Sequence, residues 1–279
     1  TDVVYALDDP DPRVDGRGRD RLRAAGIRVR HGLCAVQAAD LNIGFIYRLR
    51  RGRPFVRVKL ACSLDGRTAL ASGASHWISG EAARADVQHW RARSGAILTG
   101  IGTVLADDPQ LTVRSGSPSV QPLRVVLDSR LRVPRSARVL GQDGRALLFA
   151  RREAVGADIA DAARAALQRD GIGLEWLDGP GPGLDLRRVL AYLARERAIN
   201  ELLVEAGPTL TGALLQADLV DELLLYMAPM LLGDDAKPLA HLPALTSLPA
   251  APRFALEELA IVGGDLRIRL RPPQRTAES

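Results

Sequence analysis

Lys59, Ala61 and an Asp-Gly pair at 65–66 form the densest group of residues that could bind a ligand. A strand is predicted at 55–61, and alternation along it puts Lys59 and Ala61 on one face. A small alanine beside an ammonium group leaves room for a flat ligand. Because an Asp-Gly pair is also typical of a simple turn, a turn alone and a turn beside a ligand site both stay open.

A second candidate site follows a predicted apolar strand that ends at Glu205. Gly207 comes next, and the proline after it suits the first position of a helix. The free N–H groups of that helical turn, with the hydroxyls of Thr209 and Thr211, can bind a phosphate or a pyrophosphate. An ordinary strand–turn–helix has the same pattern, so the sequence favours both interpretations about equally.

Two further features precede this segment. Arg91 lies at the edge of the apolar stripe of a helix predicted at 80–93, for which Ser79 is the predicted N-cap. An arginine there extends its charged end to solvent, pairs with a carboxylate or binds an anion. Gly100 and Gly102 open a turn of helix after a predicted strand, which suits close approach of a ligand or simple packing. The spacing is not the G-x-G-x-x-G of a dinucleotide-binding Rossmann turn.

Several classes of site are excluded by what the motifs lack. The four histidines and two cysteines have no metal-ligand spacing, and the H-x-E and P-C-x-x-C motifs of zinc deaminases are missing, so no metal site is predicted. Walker A, nucleophile-elbow and kinase signatures are missing as well.

Composition narrows the partners. The net charge is +5, but 36 of the 38 basic residues are arginines spread along the chain, and only 4% of residues are aromatic, so nucleic-acid binding is not expected. No apolar run is long enough to cross a membrane. Two cysteines fit a reducing, cytoplasmic location.

The first residue is not Met and an apolar run begins at Val3, so we expect the chain to start inside a larger protein.

Short apolar runs alternate with helical patterns, which predicts an α/β fold. The basic run 48–54 is the predicted boundary between residues 1–52 and 53–279, and the last two strands are predicted to form a hairpin through Gly263 and Gly264. The tail 272–279 is expected to fray. Strands are predicted at 3–7, 27–30, 55–61, 96–99, 123–128, 146–150, 174–177, 202–205, 222–227, 254–261 and 266–270. Helices are predicted at 18–25, 35–50, 80–93, 157–169, 186–195 and 208–216.

Taken together, six ordered blocks resemble the reductase domain of the bifunctional riboflavin-biosynthesis deaminase/reductase family, RibD/RibG type. They are FVRVKLACSLDGRT at 55–68, SHWI at 75–78, WRARS at 90–94, TVLADDP at 103–109, LTVR at 111–114 and EAGPTL at 205–210. The segment ALDDPDPRVDGRG at 6–18 resembles the stretch that follows the zinc-cysteine motif of the family's deaminase domain. The resemblance implies that residues 1–52 are a C-terminal remnant of that cytidine-deaminase-like domain.

The resemblance also implies a fold and an activity. The expected fold is a dihydrofolate-reductase-like mixed sheet flanked by helices. The expected reaction is NADPH-dependent reduction of the ribosyl group of 5-amino-6-(5-phosphoribosylamino)uracil to a ribityl group. A homodimer is expected. Zinc, and the pyrimidine deaminase activity that depends on it, would belong only to the part of the parent protein that is missing from this chain.

By the resemblance, individual residues receive roles. The positions that match NADP contacts are Ala61, Trp77, Thr103, Asp107, Ser129, Gly207, Pro208, Thr209, Leu210, Thr211, Gly212 and Ala213. The positions that match substrate contacts are Ser75, Arg91, Leu111, Arg114 and Glu205.

Asp107, helped by Lys59, is the hypothesised catalytic group, which positions the ribose and assists ring opening or proton transfer. Ser129 and Arg130, which follow a predicted strand, are further candidates for contact with the 2′-phosphate of NADPH. Two alternatives stay open: a reductase of the same fold that acts on a pterin or another pyrimidine, and a non-catalytic nucleotide-binding protein.

Overall fold

The chain divides into two compact units in the computed structural model. The first comprises Thr1–Phe55 with Leu190–Asn200, and the second comprises Val56–Val189 with Glu201–Ser279. The structure describes residues 2–75, 77–116, 120–141, 145–179 and 181–273. In this described part, none of the helices combines the length and the apolar character needed to cross a membrane.

The first unit contains a small parallel sheet and three short helices, and its two segments are joined by a hydrogen bond from Arg48 Nε to Asn200 Oδ1 at 2.6 Å. In chain order its elements are β1 (Asp2–Tyr5), α1 (Arg17–Ala24), β2 (Arg28–His31), α2 (Ala35–Leu41) and α3 (Ile43–Arg51).

One expectation for this unit was wrong. The single helix predicted at 35–50 is two helices, because Asn42 leaves the helical conformation and its side-chain amide caps α2 by donating to the carbonyl of Ala38 at 3.0 Å. The second of these helices, α3, ends where Gly52 adopts φ +66°.

The second unit is built on a nine-stranded sheet with the strand order β12-β13-β10-β3-β9-β5-β6-β7-β8. Its strands, with the small pair β4 and β11, are β3 (Phe55–Ser63), β4 (Arg67–Ala69), β5 (Ala96–Gly100), β6 (Leu123–Leu127), β7 (Ala146–Ala150), β8 (Gly173–Trp176), β9 (Glu201–Glu205), β10 (Glu222–Ala228), β11 (Lys237–Pro238), β12 (Ala255–Val262) and β13 (Asp265–Arg271).

Most of this sheet is parallel. Strands β9, β5, β6, β7 and β8 run parallel in that order, and β10 runs parallel to β3. The predicted hairpin is confirmed: β12 and β13 are antiparallel, and β13 is antiparallel to β10. Strands β5, β7 and β9 carry consecutive buried apolar residues, as expected where helices cover a parallel sheet on both sides. The mixed α/β fold predicted from the sequence is confirmed.

In the described part of the chain, six α-helices accompany the sheet, and α8 continues into the segment that belongs to the first unit. They are α4 (Glu81–Arg93), α5 (Ile101–Asp107), α6 (Arg152–Val155), α7 (Ala157–Arg169), α8 (Leu186–Arg195) and α9 (Pro208–Gln216). The bounds of α7, α8 and α9 match the predictions. The sequence patterns missed α6, β4 and β11, which are too short for periodicity to reveal.

The start of α4 differs from the prediction. Gly80, not Ser79, is the N-cap, so there is no side-chain hydrogen bond from the cap residue to the helix. The N–H of Gly80 instead donates to Oδ2 of Asp265, a residue distant in sequence, at 2.7 Å. The carbonyl of Ser79 instead accepts a bond from Arg84 Nη1 at 2.6 Å. The start of α4 is therefore fixed by the turn of the C-terminal hairpin.

Gly212 allows the chain to cross α9 at close range. A Cβ atom on Gly212 would lie 2.0 Å from the backbone oxygen of His241, whereas a Cβ atom on Gly102 in α5 would meet nothing within 4 Å. Only glycine leaves space for this backbone crossing.

Replacement of these two glycines by alanine should have opposite effects. We expect Gly212→Ala to lower the free energy of unfolding by about 1–3 kcal/mol through overpacking. The control Gly102→Ala should raise it by about 0.5–1 kcal/mol, because alanine is the better helix former. Urea unfolding measures both, and equal stability of the two variants would contradict the crossing described above.

Candidate functional site

A buried ion pair joins the end of β9 to α4. Arg91 Nε donates to Oε1 of Glu205 at 2.6 Å, and Arg91 Nη2 donates to Oε2 at 3.0 Å. The two side chains are only 10% and 13% exposed. Of the interpretations that the sequence left for Arg91, the structure therefore shows the carboxylate pair, in its strong bidentate form.

Hydrogen bonds attach the loop after α5 to helix α4. Arg91 Nη1 donates to the carbonyl of Thr112 at 3.0 Å, and Oε1 of the buried Gln88 accepts from the N–H of Arg114 at 2.9 Å. These bonds fix the loop that carries the exposed side chain of Arg114. The charge of Arg114 lies near Glu205 and lowers the pKa of the Glu205 carboxyl. Sequence reasoning missed Gln88, which stands in no motif, and gave no role to Thr112, although it belongs to the LTVR block.

Electrostatics connects Lys59 to this pair. Burial by itself would raise the pKa of Glu205, but Arg91, with smaller contributions from Lys59 and Arg114, holds that pKa below its ordinary value. Burial lowers the pKa of Lys59, against the opposing effect of Glu205. Its Nζ lies 5.9 Å from the ring centroid of Tyr226. The site therefore holds the carboxylate of Glu205 and the ammonium of Lys59 close together. The lowered pKa of Lys59 means that this ammonium releases its proton more readily than usual.

Leu111 occupies this loop in an unexpected way. Its side chain is only 2% exposed and packs into the apolar cluster that includes Val104 and Leu203. Its backbone has φ +50°, a left-handed conformation that is unusual for leucine. Any contact of Leu111 with a ligand is therefore restricted to its backbone.

The start of α9 has the predicted geometry. Gly207 is the N-cap and Pro208 holds the first helical position. A Cβ atom on Gly207 would lie 4.0 Å from Oγ1 of Thr103, so the predicted cofactor residues on α5 and α9 are close neighbours. Oγ1 of Thr211 is buried and has no hydrogen-bond partner in the described part of the chain.

The remaining residues of this helix have different environments. Thr209 is exposed, Leu210 and Ala213 are half-buried, and the Leu210 side chain lies 3.6 Å from where a Cβ atom on Gly100 would be. Gly212 is buried beneath the backbone of His241. Its packing contact alone accounts for a glycine at that position.

Asp107 is the last residue of α5 and is exposed. Thr103 lies four residues earlier, so the two side chains share one face of the helix. Asp108 ends the helix at φ +39° and its Oδ1 accepts from the N–H of Arg138 at 2.8 Å. Of the two consecutive aspartates, Asp108 is thus bound to the fold and Asp107 faces solvent.

Three predicted residues lie on other elements. Ala61 is on β3, on the same face as Lys59. Ser129 follows β6, and its carbonyl accepts from the N–H of Arg151 at 3.1 Å. Ser75 is half-buried, and its carbonyl accepts from the N–H of Ile78 at 3.3 Å.

Trp77 lines a cleft beside the start of α4. Its side chain is 67% exposed, and the guanidinium carbon of Arg84 lies 4.4 Å from its ring centroid. Met230 after β10 and Asp265 in the hairpin line the same cleft. His76, which belongs to the SHWI block, lies outside the described residues.

Metal ligation was not expected from the sequence. Within the described ranges, no group of three or more His, Cys, Asp or Glu side chains could hold a metal ion.

These observations define a class. The second unit is an α/β domain with a mostly parallel sheet, in which a buried carboxylate–arginine pair and a lysine lie near a glycine-started helix that suits phosphate. Comparison with known proteins specifies the class further. A family model described as "RibD C-terminal domain" matches residues 54–267.

Close relatives carry the same name. The riboflavin biosynthesis protein RibD of Escherichia coli is 45% identical over 96% of this chain and 73% of the relative. A solved RibD structure from Acinetobacter baumannii is 41% identical with a TM-score of 0.86, over 98% of this chain and 73% of that chain.

A Thermotoga maritima structure, described as a diaminohydroxyphosphoribosylaminopyrimidine deaminase/5-amino-6-(5-phosphoribosylamino)uracil reductase, is 28% identical with a TM-score of 0.81, over 98% of this chain and 71% of that chain. The chain belongs to the RibD family, and the expected dihydrofolate-reductase-like fold is confirmed.

The ion pair at the site predicts a pH-dependent stability. Because the pKa of Glu205 lies below its ordinary value in the folded protein, its charged form stabilises the fold above about pH 4.5. That contribution is lost as the pH falls through the folded-state pKa. We expect Glu205→Gln to lower the free energy of unfolding by about 3 kcal/mol at pH 7, because it leaves the buried Arg91 uncompensated.

Urea unfolding at pH 7 and near pH 3 checks this expectation. The gap between wild type and Glu205→Gln should narrow at the lower pH, and the exposed control Glu196→Gln should show no gap at either. A gap that stays constant with pH would contradict the assigned state of Glu205.

Proposed function

We propose that this chain is the NADPH-dependent reductase of riboflavin biosynthesis that converts the ribosyl group of 5-amino-6-(5-phosphoribosylamino)uracil to a ribityl group. Membership of the RibD family supports the pathway. The observation that carries the proposal is the cluster of Glu205, Arg91 and Lys59 near the start of α9, because it combines charges for a sugar phosphate with a seat for a dinucleotide.

The residues at α9 fit NADPH, which would supply the hydride when bound. Backbone N–H groups at a helix start bind phosphate, and the glycine at 207 leaves space next to the Thr103 hydroxyl. The buried Thr211 hydroxyl without a partner is a further donor. We assign to NADPH the residues Ala61, Trp77, Thr103, Asp107, Ser129, Gly207, Pro208, Thr209, Leu210, Thr211, Gly212 and Ala213.

For the substrate we propose Ser75, Arg91, Leu111, Arg114 and Glu205. Arg91 already uses three of its five N–H donors on Glu205 and Thr112, so it retains two for the substrate. Arg114 is exposed and has its backbone fixed by Gln88. We therefore assign the main contact with the phosphate to Arg114, and to Arg91 chiefly the orientation of Glu205.

Catalysis requires an electrophilic C1′, which the open-chain imine of the ribosylamine provides. We assign to Asp107 and Lys59 the positioning of the ribose and the proton transfers of ring opening. Burial lowers the pKa of Lys59, so its ammonium group is suited to give up a proton and regain it. Hydride addition at C1′ then leaves the amine nitrogen to take up one proton.

Residues 1–52 are, in this proposal, the C-terminal remnant of a deaminase domain, and residues 53–279 are the reductase. The zinc motif of such a deaminase is not in this sequence. Deaminase activity is therefore assigned to the longer parent and not to this chain. A cytoplasmic location, where thiols stay reduced, fits the two free cysteines.

Purified chain, NADPH and the ribosyl phosphate test the function directly. We expect oxidation of NADPH, followed by its absorbance, to depend on the ribosyl phosphate, with no turnover of a pterin or of an unrelated pyrimidine. Turnover of one of those compounds alone would indicate a reductase of different specificity. Binding of NADPH with no turnover of any of them would indicate a nucleotide-binding protein.

Two variants should separate binding from chemistry. Arg114→Ala should raise KM for the ribosyl phosphate by about tenfold or more and leave its dephosphorylated analogue almost unaffected, since it removes a charge-assisted bond to phosphate. Asp107→Asn should lower kcat by about a hundredfold with little change in KM, as expected for loss of a proton-transfer group. Equal losses with both substrates, or an unchanged kcat in Asp107→Asn, would refute the respective role.

We also propose that the chain forms a homodimer. In the C-terminal hairpin, cross-strand pairs place six apolar side chains on one sheet face: Leu256, Leu259, Ile261, Leu266, Ile268 and Leu270. The three residues on the edge strand β12 are 57–79% exposed. An exposed row of this kind, with no charge on it, favours a second copy of the same uncharged face as its partner.

Charge on this face should separate the copies. We expect sedimentation analysis to give about twice the 30.0 kDa chain mass for wild type and a single chain mass for Ile261→Glu. The control Ile159→Glu, at an apolar residue of α7 that is 64% exposed, should stay dimeric. A wild type of single chain mass, or a dimer that survives Ile261→Glu, would contradict this proposal.

A further inference from the structure

His241 is fixed against α9 through its backbone. Its N–H donates to the carbonyl of Pro208 at 3.0 Å, and its carbonyl accepts from Gln216 Nε2 at 3.2 Å. The same carbonyl fills the space that Gly212 leaves open. Because both ends of the helix contact this one residue, its position over α9 is set by the fold and not by its side chain.

The imidazole of His241 is left exposed above the first turn of α9. Its Nδ1 lies 3.4 Å from Oγ1 of Thr209, the second residue of the helix. Such a contact has two forms: the imidazole donates to the hydroxyl, or it accepts the hydroxyl hydrogen. The form matters, because a hydroxyl has only one hydrogen to offer a ligand.

An anion at a helix start requires donors. If Thr209 gave its hydrogen to His241, it would present only lone pairs to a phosphate. If Nδ1–H donates to Oγ1, the hydroxyl hydrogen is free for the anion. The buried hydroxyl of Thr211, in the first turn of the helix, is a second donor, and it has no acceptor among the described residues. The structure thus supplies at least one hydroxyl here, that of Thr211, whose hydrogen the described part of the protein does not use.

We infer that His241 is a positioning residue for the diphosphate of the dinucleotide: its Nδ1–H donates to Thr209 Oγ1 and so turns the Thr209 hydroxyl hydrogen toward a phosphate oxygen. This inference rests on the proposed function, and it adds a residue that none of the sequence motifs contains. His241 acts through Thr209 and does not take part in hydride or proton transfer.

Two isosteric replacements test which nitrogen acts. The amide nitrogen of Asn can occupy the position of Nδ1, whereas that of Gln reaches the position of Nε2. We expect His241→Asn to retain the NADPH dissociation constant within about twofold, and His241→Gln and His241→Ala to raise it about two- to tenfold. Fluorescence titration with NADPH measures all three without turnover. The neighbouring control Leu242→Ala should bind like wild type.

A double-variant cycle tests the route through Thr209. In a Thr209→Val background, His241→Ala should cause no additional loss of NADPH affinity. In all single variants of His241, kcat at saturating NADPH and the urea midpoint should match wild type, because the backbone contacts with α9 are unchanged.

Equal affinities of His241→Asn and His241→Ala would overturn the inference, and so would a full additional loss in the Thr209→Val background. If wild type binds NADPH tightly and His241→Ala binds it equally well, this inference fails while the proposed function stands. If wild type does not bind NADPH at all, the proposed function fails, and the inference fails with it.

Discussion

The bidentate pair between Arg91 and Glu205 is the interaction on which the site depends. Burial by itself would raise the pKa of this carboxylate at the end of β9, and the guanidinium reverses that effect. The same guanidinium bonds the carbonyl of Thr112 and so attaches the loop that carries Arg114. One side chain therefore lowers the pKa of Glu205 and fixes the course of the loop that we propose to bind the phosphate.

Arg91 can do this only if α4 is held firmly, and a second charged cluster provides the anchor. Trp90 packs with the apolar side chains of α4, and the fully buried Arg57 guanidinium lies 4.5 Å from its ring centroid. Arg57 in turn pairs with Glu222 and Glu201. Burial alone would raise the pKa of Glu222, but Arg57 and Arg269 lower it to about 2. The charges that anchor α4 thus compensate one another within this cluster, outside the site itself.

How far the sequence predicts the site differs from residue to residue. The start of α9 was predictable, because strand, glycine, proline and hydroxyls are consecutive and act locally. The partner of Arg91 was not, since 114 residues separate it from Glu205 along the chain. Leu111 matched a motif position, yet its side chain belongs to the apolar core. His241 stands in no motif, and only the crossing of α9 brings it to Thr209.

The amino-acid sequence by itself determined the α/β class, the long helices and strands, the C-terminal hairpin and the family. Those properties follow from periodicity, apolar runs and consecutive motif residues, which are local along the chain. Only the tertiary structure decided that Asp265 caps α4, that Arg91 forms a bidentate pair with Glu205, and that Gly212 is required for a backbone crossing. Each of those features depends on groups that are far apart in sequence. Their pKa values and hydrogen-bond partners depend on burial, and burial exists only once the chain has folded.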